Sequence, residues 1–425
     1  MHICIFQTGE PLHIDRGNYR PMRAMLLADA LIKENHKVTI ISSSFFHQRK
    51  LFRSKKFTTI KLKKNLVIEL IPSLGYQKHI GIKRLLDHLI LSFNLKKFLN
   101  SKNDFTPDRI FLGYPPIETS FIMINWAKKF NIPVMLDVKD NWPENFIEPF
   151  PRRFRNFIRL LLFPYFYLAK YIFRNADYIC SITDSFVNWI KIYSKVKCGN
   201  LEKTKDRFFV FPLVRRKIKL TNKQYKNSND FWLKRNINIL ERKHFAFVGS
   251  LSNSFDFNFI SEIASYLFNK YPEYKFIICG TGDKSDELAL KFGQMPNVFL
   301  IGEVNKYNSV FLISHSIATL APYKNSENFQ NSIPNKVIES LENSIPFITR
   351  TDGELKELIV KFNNGIFLDS EMKNMKYIIK LIEDIKFRNT LCKNSYESYE
   401  KLFNFEKAYS QIISNIIKMN TKTKT

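Results

Sequence analysis

"NSIPNKVIESLENSIPFI", residues 331–348, runs from a proline and a lysine into an apolar-periodic helix carrying Glu339, then closes on an apolar strand. Pro334 suits the first turn of that helix, where its missing N–H costs nothing. The N–H groups of the first turn and the positive end of the helix dipole form a ready anion site. Lys336 adds a mobile charge there. Glu339 lies further along the helix, and a carboxylate accepts hydrogen bonds from two neighbouring hydroxyls such as a ribose diol. A phosphate at the helix mouth and a diol beyond it together describe a nucleoside diphosphate. A proline start signal, a solvated lysine and a helix-forming glutamate account for the same letters, so the stretch has to be read with its neighbours.

Working outward, "IATLAPY" (317–323) precedes this helix and "IPFIT" (345–349) and "NGIFLD" (364–369) follow its start, all apolar and strand-like. Upstream, "HFAFVGS" (244–250) is a strand ending in glycine, followed by the helix "FNFISEIASYLFNKY" (257–271). "KFIICGTGD" (275–283) is a strand ending in Gly-Thr-Gly, followed by a helix over 284–293 and the strand "VFLIGEV" (298–304). The first half repeats the alternation. Its strands are "HICIFQ" (2–7), "KVTIISS" (37–43), "RIFLGY" (109–114), "PVMLDV" (133–138) and "ADYICSIT" (176–183); its helices are "PMRAMLLADALIKEN" (21–35) and "PIETSFIMINWAKKFN" (116–131). Apolar strands separated by helices of this length indicate parallel sheets with helices on both faces.

The predicted architecture is α/β: two Rossmann-like, doubly wound parallel-sheet domains facing across a cleft. An N-terminal domain over 1–214 is followed by a polar, lysine-rich linker over 215–242 and a C-terminal domain over 243–403. A last helix within 404–425 is expected to cross back to the N-terminal domain, before the polar tail "TKTKT". Ligands of open parallel sheets bind beyond the carboxyl ends of the strands, beside the switch in strand order. Function is therefore expected in the cleft.

Composition sets the bounds. The 425 residues are 45% hydrophobic and 25% charged, ordinary globular values. A net charge of +27 favours anionic partners: phosphorylated ligands, anionic lipid headgroups or nucleic acid. Cys4, Cys180, Cys198, Cys279 and Cys392 are far apart, with no CxxC pair, so neither a zinc site nor a disulfide framework is expected. The start "MHICIFQTGE" has no signal-peptide pattern, and no apolar run of spanning length occurs. A reducing cytosol fits, and the protein is expected to be soluble or to lie on a membrane.

The ordered set "FVGSL" (247–251), "FIICGTGD" (276–283), "LIGEV" (300–304), "LAPY" (320–323) and "IPNKVIESLENSIPFI" (333–348) resembles the family 4 glycosyltransferases of the GT-B type. The N-terminal half adds "LDVKDNWPE" (136–144) and "ADYICSITDS" (176–185), and the whole ordered set is most similar to the bacterial branch that builds surface polysaccharides. The resemblance implies a nucleotide-diphosphate sugar donor, a polysaccharide or lipid-linked oligosaccharide acceptor, retention of configuration, and a role in lipopolysaccharide O-antigen or capsule synthesis. The departing diphosphate itself would serve as base, so no protein general base is required; no cofactor and no metal are expected, since no DxD-type pair stands in a suitable loop.

By the same resemblance Glu339 holds the donor ribose, Lys336 faces the diphosphate, and Pro334 and Asn335 open the helix beside it. Gly249, Ser250, Gly280 and Gly282 lie near the nucleotide, the first two offering backbone amides along with Leu251. The family signature places a Glu where this chain has Asn331, a position that contacts the donor sugar. The loop "GSLSNSFDFN" (249–258) lacks the Arg and Lys that many relatives carry there, for which Lys336 or Lys284 would compensate. In the N-terminal half, Gly9, His13 and Arg20 belong to a loop expected at the cleft. Asp140 is the leading candidate for contacting the acceptor, with a turn cap as the equal alternative. Asp140, Lys336 and Glu339 make up the catalytic set.

"FIEPFPRRFRNFIRLLLFPYFYLAKYIFRN" (146–175) interleaves arginines with aromatic residues and is broken by Pro164. It reads as a basic amphipathic element on an anionic membrane, or as a core-packed helix with snorkelling arginines. Together with the family resemblance, the first of these readings places the protein in the cytoplasm, peripheral on the inner face of the cytoplasmic membrane. Three other functions compete. A sugar-nucleotide epimerase of the same fold needs paired acid/base groups, and a nucleic-acid binder needs a module that the chain lacks. A catalytically inactive relative would account for Asn331 and the missing basic pair.

Overall fold

The computed structural model describes residues 1–425 except 18–19, 78–80, 103, 149, 195–206, 370, 372 and 421–425. Cys198 and the polar tail lie outside the described residues. The chain divides into two units, Met1–Arg215 with Phe405–Thr425, and Arg216–Asn404.

The first unit is built on an eight-stranded sheet. Its order is Phe208–Val210, Tyr178–Ser181, Val134–Val138, Arg109–Tyr114, His2–Phe6, Lys37–Ser43, Leu66–Ile71 and Thr58–Lys63. Every pairing is parallel except the last. The inner strands read as unbroken apolar runs because both faces are covered, as parallel sheets require. The register of His2–Phe6 against both neighbours pairs Ile5 with Ile40 and Phe111. All three are buried to 1% exposure or less. Strand order reverses between His2–Phe6 and Arg109–Tyr114, which is this unit's switch point.

The hairpin pairing Thr58–Lys63 with Leu66–Ile71 was not expected. "TTIKLK" forms an exposed, lysine-bearing edge, and so lacks the apolar run that marks the inner strands. The last helix, Phe405–Ile417, belongs to this unit and packs on the helix Arg23–Lys33 and the strand Arg109–Tyr114. Its Tyr409 ring lies 5.2 Å from that of Phe211, and Ile412, Ile413 and Ile416 are buried.

The second unit carries a six-stranded, all-parallel sheet. Its order is Val298–Gly302, Lys275–Cys279, His244–Val248, Ala318–Ala321, Phe347–Thr349 and Gly365–Phe367. Here the order reverses between His244–Val248 and Ala318–Ala321. The helix Asn335–Glu342 follows the latter strand. A buried relay fixes that helix: Thr319 Oγ1 donates to Ser340 Oγ at 2.7 Å, and Ser340 Oγ to the Ile345 carbonyl at 2.8 Å. Pro334 is the residue capping the helix rather than part of its first turn, with φ −68° and ψ 151°.

The stretch over 215–242 is not a linker. Asn222–Leu233 is a helix opened by a capping box, in which Thr221 accepts from the Gln224 amide and Gln224 reaches back to Thr221 N–H. Trp232, Ile237 and Ile239 are buried and pack with Ala246, Ile277 and Phe311 of the sheet and its covering helix. Its anchors are spaced too widely among lysines and asparagines to show as an apolar period.

Candidate functional site

Each sheet has a cavity of about 240 Å³ at the carboxyl ends of its strands, within its own unit. The cavity in the second unit is lined by Val248, Gly249, Ser250, Cys279, Gly280, Thr281, Glu303 and Val304, the ends of three adjacent strands. Its walls lie so close together that only glycine fits. A Cβ on Gly280, where φ is +139°, would fall 1.8 Å from the Gly249 carbonyl oxygen, and one on Gly282 would fall 2.4 Å from that of Leu251.

The opening helix is joined to the wall of this cavity through Lys336. Its Nζ donates to the Val248 carbonyl at 2.7 Å and lies 5.4 Å and 5.5 Å from the ring centroids of Phe247 and Phe255. A Cβ on Gly249 would meet Nζ at 1.6 Å, so the glycine provides the space the ammonium group occupies. Glu339 is half-buried one turn along the helix, and Asn335 is its first residue. Asn331 ends the short helix Glu327–Gln330 and is half-buried. The structure thus brings Gly249, Ser250 and Gly280 to one cavity, with Lys336 behind its wall on the Val248 carbonyl. Gly282 stands just behind its rim. Pro334, Asn335, Glu339 and Asn331 are on the adjoining helix and its approach, outside the cavity wall.

Two expectations about this region are corrected. The amides of Gly249 and Leu251 are occupied by the Cys279 and Thr281 carbonyls, at 2.8 and 3.0 Å. They stitch the two loops together instead of presenting donors; of the three amides expected to face a ligand, only that of Ser250 has no such bond among the described residues. Lys284 pairs with Glu287 one turn along its own helix and so does not stand in for the missing basic pair.

The cavity in the first unit lies at the switch point. Gln7–Glu10, Tyr114–Pro116 and Lys139–Asp140 follow three adjacent strands, while His47, Tyr76, Arg84, Asp87 and His88 close the far side. Gly9, with φ +79°, turns the chain along this wall. Lys139 Nζ pairs with Glu10 and lies 3.4 Å from Asp137 Oδ2. Burial works against its charge, but Glu10 and then Asp137 outweigh burial and raise its pKa. Asp137 is fully buried against Arg23, whose guanidinium also donates to the carbonyls of Phe211 at 2.6 Å and Pro212 at 2.9 Å. Asp137 is therefore structural. Asp140, three residues on, is half-buried and lines the cavity. Burial pushes its carboxyl above the ordinary range, with Lys139 and then Arg84 pulling it part of the way back.

His13 does not line this cavity: its Nε2 lies 3.1 Å from Asp29 Oδ1. Arg20 is also outside the wall, half-buried ahead of the helix Arg23–Lys33. Among the described residues of this loop, Thr8, Gly9 and Glu10 line the cavity. Sequence reading missed the far side altogether. There the Tyr76 hydroxyl and His47 Nδ1 are 2.5 Å apart, and His88 Nδ1 is 3.7 Å from Glu118 Oε2. Burial first, then Arg84 and His47, push the His88 pKa down to about 3, so the ring is neutral at physiological pH. The signal present was Asp87-His88, a polar pair interrupting an apolar helix.

The segment 146–175 splits in two. Arg152–Leu161 is a helix with no buried residue, whereas Phe163–Asn175 buries Ala169, Ile172 and Phe173. Phe154, Phe157, Leu160, Leu161, Phe163 and Tyr167 are exposed among the arginines. This excludes core packing for the first half. No described helix is long and apolar enough to cross a membrane.

The fold these two units define is that of the GT-B glycosyltransferases. Sucrose-phosphate synthase from Thermosynechococcus elongatus superposes with a TM-score of 0.69 at 14% identity, over 97% of this chain and 97% of that one. Anabaena HepE in complex with UDP gives 0.64 at 13% identity, over 98% and 100%. WaaG, a glycosyltransferase involved in lipopolysaccharide biosynthesis, gives 0.61 at 13%, over 99% and 100%. Residues 229–398 match the family model of the glycosyl transferases group 1. Comparison with the curated proteins finds no match.

Proposed function

We propose that the protein is a retaining, metal-independent glycosyltransferase. In this reading it moves a hexose from a nucleoside-diphosphate sugar to a polysaccharide or lipid-linked oligosaccharide acceptor, in bacterial surface polysaccharide synthesis. The observation that carries the proposal is Lys336, held at the switch point of the second sheet beside a cavity whose glycine walls admit close backbone approach. The diphosphate is assigned to Lys336 and the opening turn after Pro334 and Asn335, where the helix dipole and a fixed ammonium both favour negative charge. Glu339 takes the ribose hydroxyls and Asn331 the donor sugar. The UDP bound by HepE supports a uridine nucleotide as the first donor to test.

The acceptor is assigned to the cavity of the first unit, with Asp140 accepting from the attacking hydroxyl. Stabilising the departing diphosphate is the main catalytic demand, and loss of one such donor costs about 10²–10³ in rate. The exposed basic and aromatic residues of 146–175 hold the enzyme to an anionic membrane on its cytoplasmic face, where a lipid-linked acceptor resides.

Thermal unfolding in the presence of UDP-, GDP- and dTDP-sugars tests the donor assignment. A ligand that binds the folded state preferentially raises Tm by mass action. One nucleotide class should raise it while free sugars do not, and a flat response across all donors would remove the proposal's support.

A further inference from the structure

The helix Ile82–Ser101 is apolar on two opposite faces. Leu91, Leu95, Phe98 and Leu99 point inward and are buried. Ile82, Leu86, Leu89 and Phe93 follow one another at spacings of four, three and four, which stacks them on a single face, with Ile90 beside them. That face is bare: Ile82 is 77% exposed and Phe93 70%, with Leu86, Leu89 and Ile90 exposed between them. A stripe of this length on an ordinary solvated helix would be polar.

Charge identifies what covers it. Lys83, Lys96 and Lys97 are exposed along the same helix, whose single acidic residue, Asp87, is buried and accepts from the Gly75 amide at 2.6 Å. The solvent side therefore carries apolar residues and cations with no carboxylate. The stripe's helix and the basic helix belong to one row of packed helices in the first unit. Ile82–Ser101 packs beside Ile117–Lys129, which packs beside Phe163–Asn175, which in turn contacts the basic helix Arg152–Leu161. The Arg84 guanidinium lies 4.8 Å from the Trp142 ring centroid, Trp142 is 4.3 Å from Phe146, and Phe146 is 6.1 Å from Tyr165.

We propose that the outward face of Ile82–Ser101 inserts into an anionic phospholipid bilayer, as a second contact element in addition to the basic helix Arg152–Leu161. This rests on the reading of 146–175 as a membrane-binding segment and adds to it: the basic helix supplies attraction, and the stripe supplies apolar insertion. Two elements fix the rotation of the first unit on the membrane, where one would leave it free to roll. Interfacial helices of this composition bury their apolar face at the boundary between headgroups and acyl chains.

The test uses the full-length protein and vesicles of phosphatidylcholine, with and without phosphatidylglycerol. Three variants are compared with wild type: Leu89→Gln/Phe93→Gln, Arg152→Glu/Arg153→Glu and Phe93→Trp. All the altered side chains are exposed, so circular dichroism and Tm should match wild type. The glutamine pair should weaken partitioning to anionic vesicles about tenfold or more. Lipids brominated along the acyl chain should quench the added fluorescence of the Phe93→Trp variant. Wild-type binding that the arginine variant abolishes and the glutamine variant leaves intact, with no quenching, would overturn the insertion and leave the basic helix as the sole anchor. Absence of wild-type binding to either vesicle would overturn both readings. Loss of a dimer by the glutamine variant in lipid-free sedimentation would assign the stripe to a second copy of the chain instead.

Discussion

Lys336 Nζ is hydrogen-bonded to the carbonyl oxygen of Val248 at 2.7 Å, which ties the first turn of the helix Asn335–Glu342 to the end of a strand in the same sheet. The ammonium is thus pre-positioned rather than free to search. Lys336→Met should lower kcat/KM by about 10²–10³, while Tm without donor moves by only a few degrees. Glu339→Ala should weaken donor binding in calorimetry. An unchanged titration would remove the ribose assignment.

Gly249 and Gly280 should fail in different ways. A methyl group on Gly249 meets the far end of a flexible lysine, so Gly249→Ala should fold and lose donor turnover as Lys336 is displaced. A methyl group on Gly280 meets the Gly249 backbone at a positive φ, so Gly280→Ala should cost about 1–3 kcal/mol in stability. Urea unfolding separates the two.

Asp140→Asn should reduce transfer to acceptor and leave donor binding and slow donor hydrolysis near the wild-type level. Parallel loss of donor affinity would show that Asp140 acts as a structural cap.

Trp232→Ala should destabilise the second unit by about 3–5 kcal/mol, the usual cost of deleting a buried tryptophan. A true linker would tolerate the change, so chemical denaturation of this variant tests the reassignment of 215–242.

His88 predicts an acid limit. With the folded pKa near 3 and the unfolded value near 6.5, the unfolded chain binds the extra proton between those limits. Stability is therefore full above pH 6.5 and falls on acidification at up to about 1.4 kcal/mol per pH unit from this group. His244, pushed down to about 4, acts in the same sense in the other unit. His88→Gln should flatten the pH dependence of urea stability between pH 5 and 6.5, as read from the pKa displacement it removes.

The double winding was legible because strands covered on both faces must be apolar throughout. Lys37–Ser43 and Arg109–Tyr114 coincide with their runs letter for letter. The exposed edge at Thr58–Lys63 and the sparse anchors around Trp232 carry no such constraint and went unread. At the second cavity the glycines and Lys336 were visible because they lie at strand and helix ends in order along the chain. The opposite wall of the first cavity was not, since His47, Tyr76 and His88 come from stretches with no shared pattern and meet only through folding. Backbone satisfaction was equally hidden: nothing in "FVGSL" says that the Gly249 and Leu251 amides are spent on a neighbouring loop.

The helix Phe405–Ile417 completes the first unit from the far end of the chain, with the whole second unit threaded between the two pieces. During synthesis the middle of the protein is therefore the part that can mature first, and the amino-terminal half has to wait for the last helix to leave the ribosome. Until then the apolar surface that Tyr409, Ile412 and Ile416 will cover stays open to chaperones and proteases. A nonsense mutation late in the reading frame would damage the beginning of the protein and spare its centre.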